Sequence, residues 1–229
     1  MTCWWARLSS SAEYASRVTA TEAGATLDER HGWALGPDAR IVTPATVITV
    51  VRTVAAVVLA LAAATVDDRD TALRLLIASL ATYWIGDTLD GLVARWWRHE
   101  SRFGAVLDIV SDRACAFCFY LGIVWHLPAL VLPVGVYVFE FAVVDTVLSL
   151  AFLAWPLLSP NYFDLVDRTI WRWNWSLPAK AVNSSVFAVV LLVTENVVLC
   201  TAIAAALLAL KLASVVRLVR LGTPLPRRQ

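Results

Sequence analysis

Several stretches of this chain are apolar over about 20 consecutive residues, the length that an α-helix needs to cross the hydrocarbon core of a membrane. Hydropathy read with a window of about 19 residues predicts six spans. They lie at about 45–66, 71–96, 104–125, 127–155, 178–194 and 196–216. Since 59% of the residues are hydrophobic and 16% are charged, a lipid environment explains the sequence better than one large soluble core. We therefore expect an all-α polytopic membrane protein with six transmembrane helices.

The basic residues predict how these helices are oriented. With the N-terminus inside the cell, fourteen Arg and Lys residues fall on one side of the membrane, and only Arg69 and Arg74 fall on the other. Cytoplasmic loops carry an excess of Arg and Lys, so both termini are predicted to be cytoplasmic, in a bacterial plasma membrane. The fourteen residues are Arg7, Arg17, Arg30, Arg40, Arg95, Arg98, Arg102, Arg168, Arg172, Lys180, Arg217, Arg220, Arg227 and Arg228.

Tryptophan residues lie near the predicted ends of the spans, as in the interfacial aromatic belts of membrane proteins. These residues are Trp96, Trp97, Trp125, Trp155, Trp171, Trp173 and Trp175. Their positions support the membrane assignment independently of hydropathy.

The chain divides into three parts by composition. Residues 1–43 are predicted to form an N-terminal cytoplasmic or interfacial tail, because they lack the apolar region of a signal peptide. Residues 44–221 form the predicted membrane domain, and residues 222–229 form a cytoplasmic C-terminal tail. A net charge of +1 without a basic patch argues against a nucleic-acid partner.

Four aspartates stand at the edges of apolar segments, where an ionised carboxylate costs about 2.5–3.5 kcal/mol. Asp87 and Asp90 are three residues apart, and Asp108 and Asp112 are four apart, so each pair projects from one face of a helix. The short polar connection WWRHESR makes the two helices antiparallel neighbours. All four carboxylates can then converge at the cytoplasmic end of one helical hairpin.

Converging carboxylates inside a membrane need cations to neutralise them. Hard oxygen ligands in this number suit Mg²⁺ or Mn²⁺, and two ions could hold a phosphate between them. Gly91 and Gly104 remove side chains where a flat ligand could lie against the backbone, and Arg95 can pair with a phosphate. Each of these three residues also has a structural explanation, which is helix packing for the glycines and the cytoplasmic bias of basic residues for the arginine.

The spacing D-x2-D-G-x2-A-R-x8-G-x3-D-x3-D runs through this region without a gap or substitution. Its fixed positions are Asp87, Asp90, Gly91, Ala94, Arg95, Gly104, Asp108 and Asp112. This pattern resembles the signature of the CDP-alcohol phosphatidyltransferase family, integral membrane enzymes with six transmembrane helices that make phospholipids. The motif covers 26 of the 229 residues, and the predicted topology extends the similarity over residues 44–221.

The resemblance implies a transfer reaction. CDP-diacylglycerol would bind with its pyrophosphate on the metal ions, and a polar alcohol would attack the lipid-bearing phosphorus and expel CMP. Asp87, Asp90 and Asp108 would be metal ligands, whereas Asp112 would be the general base and would also lie at the second metal. The residues that line the cytidine nucleotide would be Gly91, Ala94, Arg95 and Gly104. Members of the family are often homodimers, and the sequence neither supports nor opposes a dimer.

The residues after the motif bear on the acceptor alcohol. The form L-D-x3-D-R-x-C, with Arg113 and Cys115, resembles the phosphatidylinositol synthase branch, as does the terminal LKLASVVRLVRL. This likeness favours inositol or inositol phosphate, with glycerol 3-phosphate or another alcohol as the alternative. Lys180 lies where some relatives have a basic residue near the acceptor phosphate, although an ordinary interfacial lysine would also fit. Arg113 and Lys180 are therefore the candidate acceptor-binding residues.

Other charged residues also lie inside predicted spans. Arg52 ends a segment, TVVR, that resembles the T-x-x-R found in the first helix of many members. Those members have Pro-Asn shortly before it, whereas Pro44-Ala45 stands here at a different spacing, which argues against a direct role for Arg52. Glu140 and Asp145 either hydrogen-bond the hydroxyl groups of the acceptor or face a polar seam near an interface.

Two other functions also use carboxylates inside a membrane. An aromatic prenyltransferase binds a diphosphate through aspartate pairs and Mg²⁺, but it generally needs more helices and does not explain Gly91, Ala94 and Arg95. An ion or proton carrier could use the carboxylates as a relay. Carriers often contain internal repeats with broken helices, and no repeat is evident in this sequence. We therefore expect the phosphatidyltransferase.

Overall fold

The computed structural model describes residues 32–34, 41–97 and 99–222, and this part of the chain is helical, without a β-strand. The long helices are α1 (Pro44–Ala63), α2 (Arg69–Trp96), α3 (Arg102–His126), α4 (Pro128–Ala154), α5 (Arg168–Thr194) and α6 (Val197–Leu221). Two of them, α4 and α5, contain segments of different helical pitch, and the backbone of α5 is extended at Ser176. The predicted all-α fold is confirmed.

Four helices in the described part of the chain, α1, α4, α5 and α6, are long and apolar enough to cross a membrane. With 28 residues in α2 and 25 in α3, the other two are long enough, but the aspartates and arginines of the motif lower their hydropathy. The structure therefore gives an integral membrane protein with four candidate spans, and six spans with cytoplasmic termini stay a prediction. Most of the two predicted tails, residues 1–31, 35–40 and 223–229, lies outside the described residues.

Polar side chains fix where the helices of the motif region begin. In the capping box of α1, the Thr43 side chain accepts from the N–H of Thr46, and the Thr46 side chain accepts from the N–H of Thr43. Pro44 occupies the first helical turn, where its missing N–H is tolerated. Ser101 caps α3 by accepting a hydrogen bond from the N–H of Gly104 at 3.0 Å. These caps fix where each helix begins. They therefore also fix where the polar residues that follow lie along the helix axis.

Consecutive helices run in opposite directions, because the connections between them are short and two ion pairs join their ends. Arg69 at the start of α2 pairs with Glu195 in the connection between α5 and α6, and this end of the bundle is called the far end. Arg217 near the end of α6 pairs with Asp167 just before α5 at 2.9 Å. That opposite end is called the aspartate end, since it also contains the connection between α2 and α3.

The larger hydrophobic core contains buried residues from all six helices. The rings of Tyr137 and Phe187 stack with their centroids 4.2 Å apart, and the Tyr120 ring lies 5.0 Å from Tyr137. Gly122 lets α3 approach α2 closely, since a Cβ at this position would lie 2.6 Å from Cδ2 of Leu76. The core therefore holds α2 and α3 side by side, which brings their aspartates near one another.

A second, smaller core lies at the aspartate end beneath the connection between α4 and α5. The rings of Trp155 and Trp175 lie 5.2 Å and 5.1 Å from the ring of Phe163, and both tryptophans are buried. The expected interfacial belt is therefore wrong for these two residues, because their apolar rings pack inside the protein. Trp96 and Trp125 are exposed at the ends of their helices, as a belt requires.

Asp167 begins α5 and connects it to α6. Its carboxylate accepts hydrogen bonds from the N–H groups of Thr169 and Ile170 and pairs with Arg217. Burial opposes the ionisation of Asp167, but the hydrogen bonds from Arg217 and these N–H groups outweigh it and hold the pKa of Asp167 below its ordinary value. This stabilisation is therefore present at neutral pH and is lost as the pH falls through the lowered pKa.

The variant Asp167→Asn should lower the free energy of unfolding at neutral pH and should have little effect at a pH below the lowered pKa of Asp167. Asparagine keeps the cap but not the ion pair, so the loss reports the pair with Arg217. Thermal unfolding in mild detergent at both pH values measures it. Asp68→Asn is the matched control, since Asp68 caps α2 through Thr71 without such a pair. If Asp167→Asn and Asp68→Asn lowered the free energy of unfolding equally, the ion pair with Arg217 would not contribute to stability.

Candidate active site

The structure brings the four aspartates of the motif together at the aspartate end, where α2 and α3 lie side by side. Carboxylate oxygens of Asp87, Asp90 and Asp108 lie within 4.8 Å of one another. Asp112 lies one turn further along α3, and its carboxylate contacts the same Arg52 guanidinium as the Asp108 carboxylate. Asp90 is buried, whereas the other three carboxylates are partly exposed to a cavity. The geometry therefore matches the convergence expected from the spacing.

The Arg52 guanidinium of α1 lies among these four carboxylates. Its Nε donates to Asp90 at 2.8 Å. Its Nη2 donates to Asp87 at 3.4 Å, to Asp112 at 3.1 Å and also to Asp108. The Arg52 side chain is only 3% exposed, so it acts as a buried cation for the cluster. The sequence argued against a direct role for Arg52, whereas the structure places it in contact with every aspartate of the motif.

Two neighbours contact Arg52 directly, and a third fixes its partner Asp90. A Cβ on Gly86 would lie 2.5 Å from the Arg52 Cβ and 2.6 Å from its Cδ, so the absence of a side chain on α2 makes room for the arginine. The ring centroid of Tyr83 lies 5.4 Å from the guanidinium carbon, within the range of a cation–π contact. Thr49 donates a hydrogen bond to Asp90 at 2.7 Å. Gly86 and Tyr83 are not marked by any sequence pattern, and Thr49 is marked only as the threonine of the T-x-x-R segment.

Gly86→Ala should lower the free energy of unfolding by about 1–3 kcal/mol, because the added methyl group overlaps the Arg52 side chain and one of the two must move. The matched control is Gly135→Ala in α4, where an added Cβ would meet nothing within 4 Å and helix propensity favours alanine. Thermal unfolding of both variants in the same detergent measures the difference. If Gly86→Ala were as stable as Gly135→Ala, the close packing of Arg52 on α2 would be contradicted.

A cavity of about 240 Å³ opens beside the carboxylates. On its motif side the wall includes Gly91, Ala94, Arg95 and Gly104. The Arg95 guanidinium lies across Gly91, since a Cβ there would be 3.1 Å from Nη1 of Arg95. A Cβ at Gly104 would lie 3.0 Å from the Ser101 hydroxyl. The four residues predicted to line a nucleotide therefore share one wall with the aspartates.

A second charged cluster lines the other side of the cavity and joins α3, α4 and α6. Asp145 pairs with Arg113, and its Oδ1 lies 2.6 Å from Nζ of Lys211. The Arg113 guanidinium carbon lies 4.0 Å from the centre of the Phe141 ring. Glu140 is 2% exposed, and its Oε1 has no hydrogen-bond partner among the described residues. Arg113, Glu140 and Asp145 are candidate site residues from the sequence, whereas Lys211 is found only in the structure.

Two wide helical turns, in which the backbone bonds run from residue i to i+5, lie against the cavity. One is Glu140–Val144 in α4, where the N–H of Asp145 donates to the Glu140 carbonyl oxygen. Both of these acidic residues therefore reach the same cavity although they are five positions apart. The other turn, Val182–Val186 in α5, contributes Asn183 and Ser184 to the wall. Such π-helical turns occur frequently at functional sites.

The two residues predicted to bind the acceptor both lie on the cavity wall, but their partners differ. Arg113 is engaged with Asp145. Lys180 is exposed and makes no ion pair with a described residue. Arg113 therefore belongs with the second cluster, whereas the charge of Lys180 is not paired within either cluster.

A comparison of the sequence with models of known protein families agrees with the arrangement of helices and aspartates. A model of the CDP-alcohol phosphatidyltransferase family matches residues 42–219, which include the motif and most of every helix. The chain belongs to the CDP-alcohol phosphatidyltransferase family. It is thus a transferase of phospholipid biosynthesis that moves a substituted phosphate group from a CDP-alcohol donor to an alcohol acceptor. No curated protein and no solved structure matches the chain significantly.

CDP-alcohol phosphatidyltransferases generally depend on a divalent metal, and the residues of this chain fit one. The oxygens of Asp87, Asp90 and Asp108 are close enough to share an ion, and carboxylates are the ligands that Mg²⁺ and Mn²⁺ prefer. The buried guanidinium of Arg52 among them shows that positive charge is accommodated at this point. These carboxylates could therefore hold a divalent cation.

Proposed function

We propose that this phosphatidyltransferase uses CDP-diacylglycerol as its donor and transfers the phosphatidyl group to a polar alcohol, with release of CMP. The observation that carries the proposal is the convergence of the motif carboxylates beside a cavity that the other motif residues line. A carboxylate cluster, a glycine surface and an arginine in one wall suit a nucleoside diphosphate with its metal ions.

The motif residues receive separate roles in this proposal. Asp87, Asp90 and Asp108 would hold Mg²⁺ or Mn²⁺, and Asp112 would be close to a second ion. When bound, these ions neutralise charge on the phosphates, from which such reactions gain most of their rate. The residues that contact the cytidine nucleotide are Gly91, Ala94, Arg95 and Gly104. The position of these four residues in one wall of the cavity, beside the aspartates, supports this arrangement.

Asp112 is the general base of the proposed reaction. Its carboxylate takes the proton of the acceptor hydroxyl as the hydroxyl oxygen forms a bond to the phosphorus that carries diacylglycerol. The bond between that phosphorus and the bridging oxygen breaks, and CMP leaves with the electron pair. The position of Asp112, between the carboxylate cluster and the second charged cluster, supports this role because the base must reach the acceptor.

For the acceptor, we propose inositol or inositol phosphate, as in the phosphatidylinositol synthase branch, with glycerol 3-phosphate or another alcohol as the alternative. Arg113 and Lys180 are the proposed acceptor-binding residues, and their positions on the cavity wall support this assignment. The ion or proton carrier is not supported, since the chain matches a family of transferases over most of its length.

The cellular setting is part of the same proposal. The membrane domain spans residues 44–221 with six transmembrane helices, and the residues on either side form cytoplasmic tails. The active site faces the cytoplasm of a bacterial plasma membrane, where the excess of basic residues at the aspartate end supports this orientation. A homodimer is compatible with this proposal, since members of the family are often dimers.

The test is CMP release by the purified protein in mild detergent or lipid, with CDP-diacylglycerol, a divalent metal and single acceptors. We expect release that needs both an acceptor and Mg²⁺ or Mn²⁺. Asp87→Ala should remove metal dependence and nucleotide binding together, whereas Asp70→Ala, which changes an aspartate of the first turn of the same helix, should change neither. A normal metal titration in Asp87→Ala would contradict the ligand role. The absence of acceptor-dependent CMP release would contradict the proposed function.

A further inference from the structure

We propose that the acceptor is an uncharged polyol, and that the second charged cluster with its neighbouring amides binds the hydroxyl groups of this polyol. The inference rests on the proposed function, because it concerns the acceptor of the same reaction. It assigns a substrate class that the family match leaves open, and it gives preference to free inositol or another neutral polyol over any phosphate ester.

The charges of the second cluster leave little attraction for a phosphate group. Its two cations, Arg113 and Lys211, both pair with the carboxylate of Asp145. Glu140 adds a second acid to the same wall. The side chains of Lys211, Asp145 and Glu140 are almost completely buried, so a dianionic phosphate placed there would add negative charge to a region whose cations are already neutralised. Unpaired buried charge is costly, because little solvent is present to stabilise it.

In the described part of the chain, three of the unused polar atoms in the cavity wall are hydrogen-bond acceptors, and a fourth, the buried hydroxyl group of Ser159, can both donate and accept. Oε1 of Glu140 and the side-chain carbonyl oxygens of Asn174 and Asn183 have no hydrogen-bond partner among the described residues. The amide orientation of Asn174 is fixed, since its Nδ2 donates to the Ile170 carbonyl oxygen at 2.8 Å and to Ser214 at 2.9 Å. All three side chains line the cavity.

This arrangement distinguishes a hydroxyl group from a phosphate. A hydroxyl group can donate to each of these oxygens, whereas an ionised phosphate offers acceptor oxygens alone. Glu140 and Asn174 are 2% and 3% exposed, so each unpaired oxygen is costly until a donor reaches it. A ligand with several hydroxyl groups would satisfy these oxygens together.

Two observations place this polyol within reach of the reaction. Asp112, the proposed base, and Arg113 both line this cavity, so a polyol bound beside the second cluster shares the cavity with the base. Lys180 also lines the cavity and forms no ion pair with a described residue. We assign its charge to the phosphates of the donor, so that Arg113 is kept as an acceptor-binding residue and Lys180 is not.

The experiment compares matched acceptors that differ only in a phosphate group. CMP release from CDP-diacylglycerol with Mg²⁺ or Mn²⁺ is measured with myo-inositol against inositol 1-phosphate, and with glycerol against glycerol 3-phosphate. We expect at least one free polyol to give a kcat/KM about tenfold or more above that of its phosphate ester. Faster reaction with the phosphate esters would overturn this inference and leave the proposed function in place. No acceptor-dependent release with any of the four would overturn both.

Two variants test the residues that carry the inference. Glu140→Gln should raise KM for the polyol several-fold with a smaller change in kcat, because it replaces a charged acceptor by a weaker one. Asp145→Asn should release Arg113 and Lys211 and so shift the ratio of kcat/KM values toward the phosphate ester. Glu195→Gln at the far end is the control and should leave the ratio unchanged. Thermal unfolding verifies that each variant is folded. An unchanged ratio in folded Asp145→Asn would overturn the argument from neutralised cations.

Discussion

Asp112→Asn is expected to reduce acceptor-dependent CMP release by a factor of about 10²–10⁴, the usual contribution of a positioned general base. Asparagine has nearly the same size and can still accept a hydrogen bond from Arg52, which lies 3.1 Å from the Asp112 carboxylate. It cannot take the proton of the attacking hydroxyl group. The variant should therefore fold normally and bind CDP-diacylglycerol in the presence of metal, and its defect should lie in kcat.

The measurement is single-turnover CMP release together with metal-dependent binding of a cytidine nucleotide. The control is Ser111→Ala, which changes the residue directly before Asp112 on α3 but not a carboxylate of the cluster. Activity above a few per cent of the wild type in Asp112→Asn would contradict the base role. Loss of nucleotide binding in the same variant would show instead that Asp112 acts mainly through the metal site.

Arg52→Gln is expected to lower the free energy of unfolding by about 3–5 kcal/mol in the presence of a chelator, because breaking a buried ion pair leaves uncompensated charge. Four carboxylates share this guanidinium, and glutamine supplies no positive charge. Mg²⁺ or Mn²⁺ should then raise the melting temperature more in the variant than in the wild type, since the cation supplies the missing charge and does not compete with Arg52.

Thermal unfolding with chelator and with added metal gives this comparison without any activity measurement. Arg69→Gln at the far end is the control, because its pair with Glu195 is exposed and exposed pairs contribute about 0–1 kcal/mol. An Arg52→Gln protein that is as stable as Arg69→Gln in chelator would contradict the role of Arg52 as a buried cation for the cluster. An equal rise in melting temperature on addition of metal to the two variants would contradict the idea that the metal ion replaces the charge of Arg52.

The central part of the site could be predicted from the sequence because it depends on local geometry. A separation of three or four residues places two side chains on one face of a helix, and a short connection makes two helices neighbours. Asp87 and Asp90 on α2 and Asp108 on α3 consequently lie together as expected. The all-α class followed from hydropathy for a similar reason, since helix length and apolar composition are local properties.

The contributions of α1 and α6 could not be predicted, because they depend on how distant helices pack. Arg52 and Asp90 are 38 positions apart, and nothing in the local pattern shows that Gly86 makes room for the arginine. Lys211 was overlooked for the same reason, since its partner Asp145 lies on another helix. Trp155 has the position of an interfacial tryptophan in sequence, but it packs onto Phe163, a contact that hydropathy does not reveal.

The wide turn Glu140–Val144 in α4 has a consequence for changes in chain length. An α-helix advances about 100° per residue, and this wide turn holds one residue more than a regular turn does. If the same residues formed regular α-helical turns, everything after Val144 would be rotated by about that angle. Asp145 and Ser149, which now face Arg113, would then turn away from it. Deletion of one residue that also removed the wide turn would instead leave the residues after it on the same faces of the helix. Chain length and helical pitch at this point are therefore coupled, and a gap of one residue in α4 of a related sequence would indicate a regular helix with the same acids still facing the cavity.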